Sequence, residues 1–181
     1  HTHDRAETAA LVPGLATVGG GPAGELDLDA VLARRPAVVL VDELAHDNPP
    51  GHRNRHRWQD VAALLHAGID VVTTVEVADL ESMRDVVDEL SGAVDRPVVP
   101  DWFARSAEQI QLVDQTPEAL RRRLAHGNVF PPEAVDAALA DRFRPDTLAA
   151  LRELSLLWLA ARVDAARRRS PESAATRWET R

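Results

Sequence analysis

The sequence has no lysine and no cysteine: all 21 of its basic side chains are arginine. Without lysine there is no GxxxxGK[ST] segment, so a standard Walker A phosphate loop is excluded from this stretch of chain. Without cysteine there is no disulfide framework and no thiolate zinc site. Tyrosine is also absent, and the single methionine is Met83, with His1 as the first residue. A start at histidine marks the chain as an expected fragment or processed product. No run of about 18 apolar residues occurs, so no bilayer-spanning helix is expected, and no signal peptide is visible. Excess positive charge is missing too. The net charge of −8 argues against general binding to nucleic acid or anionic membrane, which call for a basic face.

What is present suffices for a folded domain. The 181 residues are 45% hydrophobic, enough to bury a core. Val38-Val39-Leu40-Val41 leads straight into Asp42 and Glu43. A short, β-branched run after Pro36 reads as a strand, expected to be buried on both faces inside a parallel sheet. Its C-terminal end is where open α/β sheets place ligands. Asp42 there can hold Mg²⁺ directly or through water, and Glu43 can polarise a water, the chemistry of a Walker B strand. A plain loop or capping role for Asp42 fits the same pattern.

Further along, Trp58 to Ala67 reads as an amphipathic helix, with Trp58, Val61, Ala62, Leu64 and Leu65 inward and Gly68 as its stop. Ile69–Val75 reads as the next strand, which makes residues 38 to 75 a parallel crossover unit. Thr73 and Thr74 then lie level with Asp42, though β-propensity alone also accounts for them. The intervening loop holds His52, Arg53, Arg55, His56 and Arg57, donors that suit phosphate oxygens or simply a solvated surface. Its histidines match no zinc spacing. The cluster Gly19–Gly24 reads as a turn, since it lacks a lysine and a strand-then-helix setting.

Flanking elements follow from capping signals. A short helix is expected over His1–Ala10 and a short strand over Leu15–Val18. Asp27 or Asp29 opens a helix to about Arg35. A helix capped by Asp79 runs through Leu90, with Leu80, Met83, Val86 and Val87 in register. Residues 96–100 form a short strand or connector, 101–107 one helical turn, and Ile110–Asp114 a strand. Thr116-Pro117-Glu118 starts a helix ending at His126. Another spans Pro131 to Ala140. The longest, from Asp146 to about Arg167, carries Leu148, Leu151, Leu154, Leu157 and Trp158 on one face. No internal repeat, hydrolytic triad or GxSxG elbow is present.

Several segments, in order, resemble one family. They are Val41-Asp42-Glu43-Leu44-Ala45-His46, Arg57-Trp58-Gln59-Asp60-Val61, Ala67-Gly68-Ile69-Asp70-Val71, Thr73-Thr74-Val75 and Leu80-Glu81-Ser82. Leu112-Val113-Asp114, Thr116-Pro117-Glu118 and Gly127-Asn128-Val129 continue the match. Together they resemble the N-terminal cytoplasmic domain of KdpD, the osmosensitive potassium-sensing histidine kinase of bacteria, over roughly residues 1 to 165. The resemblance implies an α/β, P-loop-NTPase-like parallel sheet sandwiched by helices. The first strand and Walker A loop would precede this chain, with a helical C-terminal extension after it. The expected layout is an α/β sensor domain over 1–145, a long helix over 146–168 and a tail over 169–181.

The resemblance further implies a cytoplasmic ATP-binding module that regulates the kinase and phosphatase balance of a two-component sensor. Asp42 and Glu43 match the Walker B acids, with Asp42 toward Mg²⁺. Thr73, Thr74, His46, Arg55 and Arg57 are the expected nucleotide contacts. The chain departs from the family pattern at Asp4, Asp47, Glu76 and Ala78-Asp79. Its expected partners are the other domains of the sensor, without nucleic acid and without membrane insertion by this chain. A homodimer or scaffold built on the C-terminal helix, marked by an exposed Leu148–Trp158 stripe, is the alternative in a different class. A stand-alone ATPase with an intact head is a third.

Overall fold

The computed structural model describes residues 17–18, 25–91, 96–126, 130, 132–141 and 143–169. The readings for His1–Ala10 and Gly19–Gly24 lie outside the described residues. Two compact units are present: one runs up to Arg84 and takes in residues 96–100, the other takes in Asp85–Ser91 and the chain from Asp101 on.

The first unit is α/β. A two-residue ribbon, β1 (Thr17–Val18) and β2 (Glu25–Leu26), pairs antiparallel. Asp27 then caps α1 (Leu28–Arg34) by accepting the Ala30 N–H at 2.9 Å, which satisfies one of the donors a helix start leaves open. Strand β3 (Val38–Val41) is joined through α2 (Arg57–His66) to β4 (Asp70–Thr73). The two strands are parallel neighbours, with Val38 opposite Asp70 and Val41 opposite Thr73. Gly68 makes the turn between α2 and β4 at φ +77°, a left-handed conformation that glycine adopts without steric cost.

The core of this unit lies between one sheet face and the helices. Val39 and Val41 point into it with Val31, Val61 and Leu64. Each such side chain contributes about 2 kcal/mol of burial; truncating fully buried Leu64 to alanine would cost about 2–5 kcal/mol. The expectation that β3 is buried on both faces is corrected here. Val38 is 51% exposed, Leu40 65% and Val72 60%. Side chains alternate across a strand, and among the described residues helices cover only the face that carries Val39 and Val41. Leu65 is likewise exposed, because it lies a residue past the inward stripe of α2.

The chain from Val77 does not form one helix from Asp79. Two 3₁₀ turns, Val77–Asp79 and Glu81–Met83, precede α3 (Arg84–Ser91). Leu80 stays extended between them because it bridges Val99. In the second unit follow α4 (Asp101–Arg105), α5 (Pro117–His126), α6 (Pro132–Ala140) and α7 (Pro145–Arg169). Thr116 opens α5 by accepting the Ala119 N–H at 3.2 Å. Ile110–Asp114 is not a strand: Val113 is 81% exposed and Asp114 is held by Arg152 of α7 at 2.5 and 2.6 Å.

Helix α7 buries Leu148 and Trp158, with the Trp158 indole N–H donating to Asp101 at 2.9 Å. Arg105 lies over the same ring at 5.0 Å, a cation–π contact. The single leucine face expected for this helix is therefore split. Its Leu148 and Trp158 positions face the core of the unit, while Leu156 and Leu157 are exposed.

Candidate functional site

The expected site residues lie in the first unit, around the C-terminal ends of β3 and β4. Val41 pairs with Thr73, so the residues that leave the sheet next, Asp42 and Thr74, meet. The Thr74 hydroxyl donates to Asp42 Oδ1. The Glu43 N–H reaches Thr74 Oγ1 at 3.0 Å and Asp42 Oδ1 at 3.1 Å. The Leu44 N–H continues the ladder to the Thr74 carbonyl at 2.9 Å. Glu43 sits at φ 54°, a left-handed conformation uncommon for a residue with a Cβ. That turn ends the strand and leaves both Asp42 and Glu43 exposed.

Thr73 differs from its neighbour. Its hydroxyl is buried with no hydrogen-bond partner among the described residues. His46 and Arg57 are drawn to a carboxylate that the sequence reading missed, Glu25 of β2. Arg57 Nη2 donates to Glu25 Oε2 at 3.0 Å, and His46 Nε2 lies 3.1 Å from Glu25 Oε1. Arg57 Nη1 donates to the Asp42 carbonyl at 3.0 Å. One guanidinium thus ties β2 to the end of β3. Arg55 is exposed.

The loop from Asp47 to His56 is organised by another unforeseen residue. Asp60 of α2 is 4% exposed, and its two oxygens accept from Asn48 Nδ2 at 2.6 Å and Asn54 Nδ2 at 2.7 Å. Asn48 N–H adds a bond to the Arg55 carbonyl at 2.8 Å. Asp47 and His56 pair at the base of the loop at 2.5 Å. The signal available in sequence was two asparagines flanking a Pro-Pro-Gly turn ahead of an aspartate on a helix.

Among the described residues, Asp79 titrates far from its normal range. Burial raises its pKa from 3.8 to about 6, helped by the charge of Glu76 and opposed by Arg96. The Arg96 guanidinium is 3.9 Å from it and also donates to the Ala78 carbonyl at 3.1 Å.

The donor set at the strand ends is all oxygen: two carboxylates and two hydroxyls. That suits Mg²⁺, which binds through one or two carboxylates and completes its shell with water and phosphate oxygens. No cluster of three acidic, histidine or cysteine ligands occurs among the described residues.

The chain is thus a small parallel α/β unit with an acid pair at its strand ends, followed by a helical unit. The family model "Osmosensitive K+ channel His kinase sensor domain", KdpD, matches residues 1–163. Sensor protein KdpD of Mycobacterium tuberculosis is 52% identical over 166 residues, 88% of this chain and 19% of that protein. Sensor protein KdpD of Escherichia coli K12 is 49% identical over 170 residues, 90% of this chain and 19% of its own length. That of Clostridium acetobutylicum is 37% identical over 169 residues, again 90% and 19%. The chain belongs to the KdpD sensor-domain family. It spans about a fifth of the length of these relatives, and no helix among the described residues is long and apolar enough to cross a membrane.

Proposed function

We propose that this chain is the nucleotide-responsive part of a potassium-sensing histidine kinase, and that it sets the kinase and phosphatase balance of the parent sensor. The observation that carries this reading is the junction of Asp42, Glu43 and Thr74 at the ends of two parallel strands. Parallel α/β sheets bind ligands at that edge. Asp42 is the residue to hold Mg²⁺ delivered with ATP. Glu43 orients water beside the phosphates. Thr73 has an unspent hydroxyl near that edge, and Arg55 offers an exposed cation. The unit is read as a P-loop-like fold whose phosphate loop is supplied by another segment. Backbone cradling by such a loop is the main binding term, so this chain alone does not hydrolyse ATP.

The test is calorimetric titration of Mg·ATP into the intact sensor kinase, alongside its phosphorylation state. Asp42→Asn should weaken Mg·ATP binding at least tenfold and shift the kinase and phosphatase balance, while leaving the melting of the module in place. Equal binding by wild type and Asp42→Asn would sink the reading.

A scaffold reading rests on a different observation. Leu156, Leu157 and Val163 of α7 are 44%, 59% and 42% exposed, and apolar surface on a helix is where a partner domain or second copy packs. Light scattering of the purified chain that gives a concentration-dependent mass, lost in Leu157→Glu, would favour it.

A further inference from the structure

Glu25 has no part in the function proposed above, yet it draws together Arg57 and His46 beside the acid pair. Its side chain is 16% exposed; those of Arg57 and His46 are 12% and 30% exposed. Arg57 Nη2 approaches Oε2 at 3.0 Å, and His46 Nε2 is 3.1 Å from each carboxylate oxygen. A carboxylate only accepts, so His46 carries its hydrogen on Nε2 in this contact. A guanidinium and an imidazole N–H converging on two oxygens, shielded from most water, make up the recognition set of an oxyanion. Arg57 is also incompletely used. Its Nε–H is buried with no hydrogen-bond partner among the described residues.

We infer that Arg57 and His46 form a phosphate site, and that the Glu25 carboxylate occupies it as an internal competitor. Arg57 Nη1 donates to the carbonyl of Asp42 at 3.0 Å, so this site adjoins the acid pair through one residue. That adjacency solves a charge problem. Asp42 and Glu43 are exposed at the strand ends, and the chain as a whole is at −8. An incoming phosphate needs cations that are not already neutralised, and withdrawal of Glu25 releases two donors together. Among the described residues, those donors are the side-chain partners of Glu25. Among the described residues, the ribbon that carries it pairs Thr17 with Leu26 and Val18 with Glu25, and short two-stranded ribbons are marginal by themselves. The phosphate chemistry stands on the geometry; its identification as part of a nucleotide rests on the reading proposed above.

The experiment uses the 181-residue chain with inorganic phosphate as probe, against chloride at matched ionic strength. Affinity is measured by calorimetry, and thermal melting is followed in parallel. Glu25→Gln and Glu25→Ala should bind phosphate roughly tenfold more tightly than wild type, the lower range for one charge-assisted hydrogen bond. Phosphate should also raise their melting temperature more than it raises that of wild type, because it replaces the lost partner of a shielded cation. The double variant Glu25→Gln/Arg57→Gln should lose the gain. A carboxylate with a merely structural role predicts no tighter binding, only weaker folding. Unchanged or weaker phosphate affinity in both single variants, or a gain that persists without Arg57, overturns the inference. Glu25→Gln keeps the size of the side chain and serves where Glu25→Ala does not fold. Metal is absent from this assay. A phosphate gain combined with Mg·ATP binding indifferent to Asp42 would therefore uphold the oxyanion site and remove only its assignment to a nucleotide.

Discussion

The Thr74 hydroxyl donates to Asp42 and accepts the Glu43 N–H at 3.0 Å, so one side chain of β4 orients both acids that leave β3. Its neighbour Thr73 has a buried hydroxyl with no partner among the described residues. Adjacent threonines should therefore respond in opposite ways. Thr74→Val is expected to destabilise by about 1 kcal/mol, since it removes the hydroxyl's bonds to Asp42 and to the Glu43 N–H at an exposed junction. Thr73→Val keeps the shape, removes an unsatisfied group and should be neutral or stabilising by up to about 1 kcal/mol. Urea unfolding midpoints at constant slope give the comparison. Equal losses in both variants would contradict the assignment.

Asp60 offers a sharper test of the loop. Asp60→Asn replaces an acceptor by an amide and sets N–H against N–H at Asn48 or Asn54. A loss of about 1–3 kcal/mol is expected from an unsatisfied buried donor. The loop carries Arg53 and Arg55, so trypsin reports its opening directly. Cleavage after these arginines should accelerate in Asp60→Asn at temperatures where wild type resists.

The pH dependence expected from Asp79 runs opposite to that of a salt-bridged carboxylate. Its pKa in the fold is raised to about 6 from 3.8, by burial first and then by Glu76. The folded state thus binds this proton more tightly than the unfolded state. Its ionisation opposes folding: the penalty is absent below about pH 3.8, grows between there and about pH 6, and is constant above. Asp79→Asn should flatten that slope and stabilise the protein at pH 7 by about 2 kcal/mol, the roughly 3 kcal/mol that the shift represents being reduced by solvent screening of a part-exposed carboxyl. Chemical unfolding of both proteins from pH 4 to 7 measures it; parallel curves would refute the burial argument.

Glu43 carries backbone strain along with its charge. At φ 54° the left-handed conformation costs an L-residue about 1 kcal/mol or more. Glu43→Gly should therefore gain about 0.5–1 kcal/mol, and Glu43→Val should lose stability. If Glu43 also serves the phosphates, Glu43→Gly separates the two properties: a more stable protein with a weaker Mg·ATP response.

What could be read in advance divides along a physical line. The α/β crossover, a cap at Asp27 or Asp29, the cap at Thr116 and the Gly68 stop were legible, because periodicity and capping act over a few residues; the structure selects Asp27. That Thr73 and Thr74 lie level with Asp42 was legible too, since parallel register follows once both strands are assigned; which of the two threonines bonds the carboxylate was not. Long-range polar contacts were not. Glu25 lies 21 residues before His46 and 32 before Arg57, and no local pattern marks a carboxylate that will cross to another element. The outer face of β3 was misjudged because an apolar run reports hydrophobicity at Val38 and Leu40 without saying what covers them. The expected strand at Ile110–Asp114 failed for a related reason: β-branched residues favour an extended backbone, but a ladder needs a partner strand.

The anchoring of the Asp47–His56 loop gives Arg55 a fixed shoulder. Its carbonyl accepts from Asn48 and its N–H donates to the Gln59 side chain, while the residue itself is exposed. Restricting a residue's backbone costs about 1–2 kcal/mol of entropy, and here that cost falls on folding instead of on recognition. Whatever Arg55 meets has only a side chain to immobilise. The loop therefore behaves less like a lid that must settle than like a bracket already set, and lengthening it by a few glycines should slow and weaken capture of any anion at Arg55 without touching a single contact atom.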